Sequence, residues 1–438
     1  MSITIITILL FGSLFIFLFL GFPIAFVMGG IALVFAFWQI GSGAPYLIVT
    51  TALSGWTDYV LIAIPLFVLL GNFLERSDIA GELYNMLYQW LGRLRGGLAM
   101  ATIVICAIFA AICGVSAAAV MTLGVVSLPS MLKKGYNKHL AVGSIAGGAT
   151  LGILIPPSVI MILYGILAEE SVGKLFIGGI IPGVMLAAIF IVYIGIRCYL
   201  QPDLGPAVSV EEILPLKEKF KLTINLVWPL SLIILMLGII FTGVCTPTEA
   251  AAIGASGCFL ILFLKKKFTW PILRDSFLRT LRFSAMIMWI VLGAKMFSHI
   301  YAASGASEFI AGMFSGLVLN KLLLVGLTQF ILIIMGMFLD PLGMIVITLP
   351  VFLPLIKAAG LSPVWFGILY TINIEIGYLT PPFGFNLFYM KSVAEPLGIN
   401  MLDIYKAVLP FIFLHMIGLI LVIAFPQIAL WLPSIMIK

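Results

Sequence analysis

Two stretches of this sequence place a glycine and a pair of prolines at the same spacing. They are AGGATLGILIPPS at 146–158 and TINIEIGYLTPPF at 371–383. The shared residues are Gly152, Pro156 and Pro157 in the first stretch and Gly377, Pro381 and Pro382 in the second. A proline pair inside a helix removes two backbone donors and frees the carbonyls one turn earlier. In a membrane-spanning helix such carbonyls need protein or a polar cavity beside them, so the two breaks predict a binding site at membrane depth.

The composition is that of a membrane protein with many crossings. Of the 438 residues, 63% are hydrophobic and 9% are charged, and the mean hydropathy is +1.25. The first apolar run lacks a basic region and a small-residue cleavage site, which indicates a retained helix. The net charge of +6 is scattered along the chain and indicates topology rather than nucleic-acid binding. The five cysteines have no C-x-x-C spacing, which argues against a disulfide framework.

Ten apolar stretches predict membrane-crossing helices, five in each half of the chain. The stretches are 3–20, 23–40, 58–75, 139–168, 176–199, 224–243, 247–264, 284–301, 363–394 and 406–432. Between the third and fourth of each half lies an apolar segment that is interrupted midway, 97–132 and 322–356. Basic residues flank the first segment at both ends, so both ends are predicted to be cytoplasmic. Each segment is interpreted as a re-entrant hairpin with its tip at membrane depth, and two short complete crossings remain the alternative.

Landmarks in the two halves repeat at a nearly constant distance. The matched pairs are Pro156 with Pro381, Pro129 with Pro354 and Gly135 with Gly360, each 225 residues apart, and Pro23 with Pro247, 224 apart. This pattern predicts an all-α polytopic fold of two repeats, 1–200 and 223–438, joined by a cytoplasmic linker at 201–222. Each repeat holds five crossings plus one hairpin. Because five is odd, the second repeat must enter the membrane from the opposite side, and the repeats are expected to be inverted.

Two segments of the second repeat carry local signals of their own. Phe268–Arg282 mixes large apolar side chains with arginines, which predicts a helix lying along the membrane surface. Thr246, Pro247 and Glu249 stand in the order of a helix capping box. Both segments are therefore interpreted as structural.

The interruption of the first hairpin offers ligands for a cation. Gly114 permits a tight turn and Ser116 supplies a hydroxyl among small residues. Hydroxyls, free carbonyls and the ends of half-helices suit a hard, weakly held cation. A first cation site is predicted from Gly114, Val115, Ser116, Thr150 and Gly152. The alternative is that the small residues only let helices approach closely.

The interruption of the second hairpin contains an acid. A carboxylate at membrane depth is costly and functional by default, although Asp340 before Pro341 is also a favoured helix start. The second cation site is predicted from Asp340, Asn373, Gly377 and Thr380. Glu375 either lines the moving site or pairs within a helix interface. Asn386, four residues after the second proline pair, is predicted to be a substrate-facing amide.

Four strings of this sequence resemble the large membrane subunit of tripartite ATP-independent periplasmic (TRAP) transporters. They are GATLGILIPPS, LYG followed by SVGKLFIGGIIPG, CTPTEAAA and TPPFGFNLF. The resemblance covers nearly the whole chain. It departs from the family at the first hairpin tip, where a usual Ser-Gly-Ser-Ser stands here as Cys113-Gly114-Val115-Ser116. Two hydroxyls are thus missing, while the backbone carbonyls remain.

The resemblance implies sodium-coupled uptake of a small organic carboxylate by an elevator mechanism. A periplasmic binding protein would deliver the solute, and a small membrane subunit would support the static scaffold in the bacterial inner membrane. Sodium is the implied coupling ion, with no organic cofactor and no nucleic-acid partner. The predicted substrate-binding residues are Ser116, Pro156, Pro157, Pro341, Pro381, Pro382 and Asn386.

Three other functions remain as alternatives. A stand-alone sodium/carboxylate symporter of related fold would need no binding protein. A membrane-embedded enzyme would use Asp340 and Glu375 as a carboxylate pair, but nothing in the sequence places a metal or nucleophile beside them. A channel suits the pattern less well, because hairpins that meet at a midplane site favour alternating access.

Overall fold

The computed structural model describes residues 3–77, 79–305, 312 and 320–436 of the chain. All regular elements in these ranges are helical. The first repeat contains α1 Ile3–Phe19, α2 Ile24–Ile40, α3 Ala44–Trp56, α4 Ala63–Arg76, α5 Ile79–Leu91, α6 Gly97–Cys113, α7 Ser116–Lys133, α8 Lys138–Thr150, α9 Val159–Ala168 and α10 Val172–Leu200. The second contains α11 Leu216–Phe241, α12 Pro247–Leu264, α13 Trp270–Ala303, α14 Lys321–Gly336, α15 Pro341–Ala358, α16 Pro363–Leu379, α17 Phe385–Ala394, α18 Met401–Ala424 and α19 Gln427–Ser434. The predicted second repeat also includes 306–311 and 313–319, which lie outside the described residues.

Eight helices of the described part are long and apolar enough to cross a bilayer, or nine when α11 is included as a bent pair. These eight include α7 and α15, the second helix of each predicted hairpin. Each has 18 residues and is therefore about 27 Å long, close to the thickness of a hydrocarbon core. Length thus leaves both the re-entrant hairpin and the pair of complete crossings open.

The first helix of each broken stretch lies at the centre of the molecule. Every residue of α8 from 140 to 150 and every residue of α16 from 364 to 377 is buried. A helix that is apolar or small-sided all round is stable only when other helices surround it. Each predicted proline break therefore follows a helix whose residues are almost all buried within the described structure.

The helices pack as two groups that meet along one face. The outer group contains α2, α3, α4, α12 and α13, with α13 against α2, α3 and α4, and α12 against α4. The hairpin group contains α6 to α10 and α14 to α18. Within it, the repeats interlock, since α7 packs on α17, α15 packs on α9 and α8 packs on α18. The groups touch through contacts such as α4 with α6 and α13 with α15.

Local helix signals from the sequence are confirmed at two helix starts. Thr246 and Glu249 form both bonds of a capping box at the start of α12, where Pro247 is the first residue. Asp340 accepts a hydrogen bond from the Gly343 backbone N–H at 3.2 Å and so caps α15. Such caps depend on residues three positions apart, which the sequence displays directly.

The structure corrects the prediction of a separate surface helix at Phe268–Arg282. This segment continues without a break into the stretch at 284–301, and together they form the 34-residue α13. Between Pro271 and Gly293 the sequence contains no glycine or proline to end a helix. The prediction also left out α3 and α5, which have 13 residues each and are too short to cross a bilayer alone.

Matching backbone features occur at the matching landmarks of the two repeats. The Pro156–Pro157 and Pro381–Pro382 peptide bonds are both cis. Gly135 and Gly360 both have a positive φ, 77° and 65°. The helix order around them is also the same, a helix pair followed by a broken stretch and a long helix. The inverted orientation of the repeats in the membrane stays a prediction.

Candidate solute and cation site

The first hairpin tip lies against the first proline break. Gly114 has a φ of 63°, and a Cβ at this position would lie 2.7 Å from the Pro157 carbonyl oxygen. Its own carbonyl accepts a long hydrogen bond from the Val159 N–H at 3.5 Å. Only glycine fits this turn, because a side chain would be both strained and in collision with the break. Gly152 approaches from the same side, since a Cβ there would lie 3.5 Å from the Ser116 nitrogen.

The same tip is also held by the second broken stretch. Asn386 of α17 donates from Nδ2 to the Ser116 hydroxyl at 2.7 Å, and the hydroxyl donates back to Oδ1 at 3.0 Å. Asn386 Nδ2 lies 3.3 Å from the Ala146 carbonyl oxygen as well. Ser116 and Asn386 are completely buried. The predicted substrate-facing amide thus joins the two repeats at the first tip, and it does not line the large cavity described below.

The start of α7 has no side-chain cap. Its N-cap residue is Val115, which has no hydrogen-bonding side chain. The first N–H groups of a helix have no partners within the helix and carry the positive end of its dipole. Because Gly114, Val115 and Ala117 line a large cavity, this helix end can receive a negatively charged group from that cavity.

At the second tip, two backbone segments meet instead. A Cβ on Gly377 would lie 3.0 Å from the Gly336 Cα, so α14 and α16 approach as closely as only glycines allow. Beside this contact is a cavity of about 10 Å³ that Gly336, Pro341, Ile374 and Gly377 help to line. A space of that size holds one water-sized particle. Asp340 lies outside its lining and faces the large cavity.

The other predicted cation ligands are engaged within the protein. Thr150 donates to the Gly147 carbonyl at 2.7 Å, and Thr380 donates to the Ile376 carbonyl at 2.6 Å. Asn373 donates from Nδ2 to the carbonyl and side-chain oxygens of Gln329, at 2.9 and 3.1 Å. The structure therefore brings Gly114, Val115, Ser116 and Gly152 together. The side chains of Thr150 and Thr380 bond to the preceding turn of their own helices, and that of Asn373 bonds to α14. Their role as sodium ligands stays a prediction.

Glu375 lies in the interior rather than on the wall of the large cavity. Its side chain is fully buried, and within the described structure neither carboxyl oxygen has a hydrogen-bond partner. The nearest ionisable group is His415 of α18, whose Nε2 lies 3.7 Å from Oε2. His415 also contacts the Thr150 hydroxyl at 2.9 Å and the Phe411 carbonyl oxygen at 2.7 Å. Sequence reasoning missed His415, although a histidine inside an apolar helix is itself a signal.

A cavity of about 700 Å³ lies between the two groups of helices, at both hairpin tips. The hairpin group contributes Gly114, Val115, Asp340 and Pro341 to its wall. Of the predicted substrate residues, Pro341 lines this cavity, whereas Ser116, Pro156, Pro157, Pro381, Pro382 and Asn386 do not. The sequence analysis missed six aromatic residues of the lining, Phe26, Phe283, Trp289, Tyr378, Phe385 and Tyr389. In an apolar sequence such residues cannot be told from lipid-facing ones.

A second cavity of about 190 Å³ continues on the other side of the first tip. Val115 and Phe283 line both cavities and thus stand between them. The smaller cavity is lined further by polar side chains of the outer group, Asn72, Glu75 and Arg279. Here the tip and α4 are in close contact, because a Cβ on Gly71 would lie 3.2 Å from the Cys113 Cα.

Comparison with known proteins agrees with this architecture. The family model described as "Tripartite ATP-independent periplasmic transporter, DctM component" matches residues 11–428. The C4-dicarboxylate TRAP transporter large permease protein DctM of Vibrio cholerae is 32% identical, over 100% of this chain and 98% of that protein. The ectoine TRAP transporter large permease protein TeaC of Halomonas elongata is 33% identical, over 95% and 96% of the two chains.

The fold is also found in a solved structure of low sequence identity. The YdaH transporter of Alcanivorax borkumensis superposes with a TM-score of 0.61 and 16% identity, over 90% of this chain and 89% of that one. The likeness concerns the helical fold alone. With a family model that spans nearly the whole sequence, and with apolar helices sufficient for many crossings, the chain is a multi-pass membrane protein that belongs to the DctM component family of tripartite ATP-independent periplasmic transporters.

Proposed function

We propose that this chain is the permease subunit of a sodium-coupled transporter that takes up a small organic carboxylate by an elevator mechanism. The observation that carries the proposal is the large cavity at both hairpin tips. One wall belongs to the hairpin group and the other to the outer group, as a solute site between a moving and a static body requires. Relatives named for C4-dicarboxylate and for ectoine support a small organic solute.

Sodium would bind where each tip meets a proline break. The first site would use Gly114, Val115, Ser116, Thr150 and Gly152, and the second Asp340, Asn373, Gly377 and Thr380. The support for the first is the close approach of the tip and break backbones, which leaves carbonyl oxygens as hard ligands. The support for the second is the small cavity beside Gly377.

The carboxylate of the solute would bind at the uncapped start of α7. No lysine, arginine or histidine stands among the described residues that line the large cavity, so the positive end of α7 is the source of positive potential that the lining offers, beside the neutral donors Trp289, Tyr378 and Tyr389. The predicted contribution of Asn386 would then be indirect, through its hydrogen bonds to Ser116.

Transport would require the hairpin group to move against the outer group while both tips move together. The interlocked packing of α7 on α17 and of α15 on α9 supports a single rigid body. The cavity beyond Val115 and Phe283, with Asn72 and Arg279 in its wall, offers a polar path away from the solute cavity. The outer group would stay fixed in the bilayer.

The partners would be a periplasmic binding protein and a small membrane subunit in the bacterial inner membrane. Full-length matches to permease proteins of TRAP transporters disfavour the stand-alone symporter and the membrane enzyme. Delivery by a binding protein would place the periplasmic ends of the helices at the docking side. The two inverted repeats would present one hairpin to each side of the membrane.

The experiment is uptake into liposomes that contain the chain and its small subunit, with and without the binding protein and a sodium gradient. The expected result is uptake that needs both. Replacing Ser116 or Thr380 by Ala should raise the sodium concentration needed for half-maximal uptake. Sodium dependence that is unchanged in both variants would contradict the site assignment, and uptake without a binding protein would favour the stand-alone symporter.

A further inference from the structure

The composition of the large cavity narrows the chemistry of its solute. Asp340 is the single Asp, Glu, Lys, Arg or His among the described residues that line it. A solute with only negative charge would lose its hydration on entering this cavity. The lining offers it no cationic side chain and contains the carboxyl group of Asp340. Burying an anion without a cationic partner is unfavourable, and a like charge nearby adds to that cost. Apart from the sodium proposed at the tips, the protein thus offers a simple carboxylate no positively charged side chain in this cavity.

Aromatic side chains of both helix groups line the same cavity. On the outer group, Phe26 and Trp289 lie next to each other with ring centroids 6.0 Å apart. On the hairpin group, Tyr378 and Phe385 are in edge contact at 6.2 Å. All four line the cavity. Rings of this kind attract a cation to their faces, and tryptophan does so most strongly.

The two hairpin tips give the cavity opposite electrostatic ends. At the second tip, Asp340 brings a carboxyl group, the only acidic side chain among the described residues of the lining. At the first, α7 begins after Val115 without a side-chain cap, so its N–H groups form a positive end. A solute that carries both charges satisfies both ends at once.

From this arrangement we infer that the transported solute carries a positively charged nitrogen together with its carboxylate. The carboxylate binds at the start of α7 beside Gly114, and the nitrogen lies between Asp340 and the aromatic side chains. This inference takes Asp340 out of the second sodium site, because Asp340 lines the large cavity and not the small cavity beside Gly377. This inference rests on the proposed function, because it concerns the solute of that same site. It names a zwitterion where the proposed function names only a carboxylate.

An isosteric pair of probes tests the inference on the purified chain in lipid nanodiscs at saturating sodium. Glycine betaine is a small zwitterion, and 3,3-dimethylbutyrate has the same shape and carboxylate but a carbon in place of the nitrogen. Glycine betaine should raise the thermal unfolding midpoint and bind roughly tenfold more tightly than its isostere, as a desolvated cation–ring contact implies. Choline, which lacks the carboxylate, should also bind more weakly.

Variants of one tryptophan pair locate the effect. Trp289→Leu should remove the preference for glycine betaine, whereas Trp289→Phe should keep most of it. Trp56→Leu is the matched control, because Trp56 lies against Trp289 with centroids 6.1 Å apart but does not line the cavity. A preference that survives in Trp289→Leu, or that is lost equally in Trp56→Leu, would overturn the role of the ring.

The remaining outcomes separate this inference from the proposed function. Equal binding of the two isosteres would overturn the inference that the solute is a zwitterion. That result is expected if sodium beside Asp340 holds the carboxylate. No binding of glycine betaine would overturn the inference as well. Sodium-driven uptake of the delivered solute is measured alongside, with the same purified chain reconstituted into liposomes together with its small subunit and the binding protein. If uptake still depends on sodium while the isosteres bind equally, the proposed function stands and only the solute class is wrong. If uptake does not depend on the sodium gradient, the proposed function is wrong.

Discussion

At the first hairpin tip α7 begins after Val115, whereas at the second tip α15 begins after Asp340. The second helix start is satisfied locally, because Asp340 accepts from the Gly343 N–H. The first start has no such bond, and its neighbour Ser116 is instead held by Asn386 from the other repeat. The two helix pairs that the sequence predicts to be copies of one element thus reach stability by different means. The second tip caps its own helix through Asp340. The first tip has no side-chain cap and is held instead by the hydrogen bond from Asn386, which is distant in the sequence.

A second difference concerns the third predicted crossing of each half, at 58–75 and 284–301. In the first repeat α3 and α4 are separate, with a 3-10 turn at Tyr59–Ile62 between them. In the second repeat the matching residues form the continuous α13. The break is tied to the continuous helix, because Asp58 caps the 3-10 turn and also pairs with Lys295 of α13 at 3.3 Å. In the outer group, as in the hairpin group, segments that the sequence predicts to be equivalent therefore differ in structure and are joined to each other.

The largest expected effect comes from locking the first tip to the outer group. A Cβ on Gly71 would lie 3.5 Å from the Cys113 Cβ, which is within the range of a disulfide. Gly71→Cys, with the native Cys113 kept and the other four cysteines replaced, should lose uptake when oxidised and regain it with reductant. The measurement is sodium-driven uptake in liposomes before and after reduction.

The matched control joins two repeats inside the hairpin group. A Cβ on Gly124 of α7 would lie 3.4 Å from the Val393 Cβ of α17. The pair Gly124→Cys and Val393→Cys should form a cross-link and leave uptake nearly unchanged, since both residues move together. Gly71→Ala reports the steric effect alone. Uptake that survives the oxidised Gly71→Cys cross-link would be incompatible with an elevator.

The next largest effect should be on stability, and it measures how much the first tip is stabilised by Asn386 of the other half of the chain. Asn386→Ala removes a buried amide and leaves Ser116 with an unpaired hydroxyl, which should lower the free energy of unfolding by about 1–3 kcal/mol. Asp340→Asn keeps an N-cap side chain and should cost less. Chemical unfolding of both variants in the same detergent measures the difference. An equal loss in the two would mean that the tips are held alike.

A Ser116→Ala and Asn386→Ala double-mutant cycle sharpens that result. If the bond across the repeats is direct, the two changes should be coupled by about 0.5–1.5 kcal/mol. Thr380→Ala serves as the reference, because its hydroxyl bonds within its own helix. Additive losses for Ser116 and Asn386 would contradict the coupling.

A smaller effect should follow from giving the first helix start the cap that the second already has. Val115→Thr keeps the shape of the side chain and adds a hydroxyl that can accept from the first turn of α7. The helix start should gain about 0.5–1 kcal/mol in stability, while solute binding weakens because its N–H groups are occupied. Val115→Ala, which adds no cap, is the control. Tighter solute binding in Val115→Thr would show that the open end is not the carboxylate site.

The smallest effect concerns the linker between the repeats. Lys134 pairs with Glu212, and this hydrogen bond lowers the pKa of the Glu212 carboxyl below its ordinary value of 4.5. The stabilisation is therefore present above pH 4.5 and lost as the pH falls through the lowered pKa. Lys134→Met should speed proteolysis of the linker slightly at neutral pH, because exposed ion pairs contribute little. The two proteins should become alike at acidic pH, and a difference that persists there would exclude the ion pair as its cause.

The sequence by itself determined the features that depend on near neighbours. Many membrane crossings follow from composition, and the two proline breaks follow from local spacing. The caps at Thr246 and Asp340 could also be predicted, because each joins residues three positions apart. The resemblance of four strings was enough to indicate the family. Caps and proline breaks depend only on residues close together in the sequence, so they can be predicted without the tertiary structure.

Only the tertiary structure decided which distant side chains meet. Ser116 and Asn386 are 270 residues apart in the chain, and nothing in their neighbourhoods indicates that they pair. The aromatic walls around Trp289 could not be predicted either, because in an apolar sequence a ring that faces a cavity looks like one that faces lipid. The sequence did not predict the continuity of α13, because its first half carries arginines, as a helix on the membrane surface does, and its second half is apolar, as a crossing is. Helix propensity and packing nevertheless favour one continuous helix. Burial against partners far along the chain decides these features, and that is a property of the folded molecule.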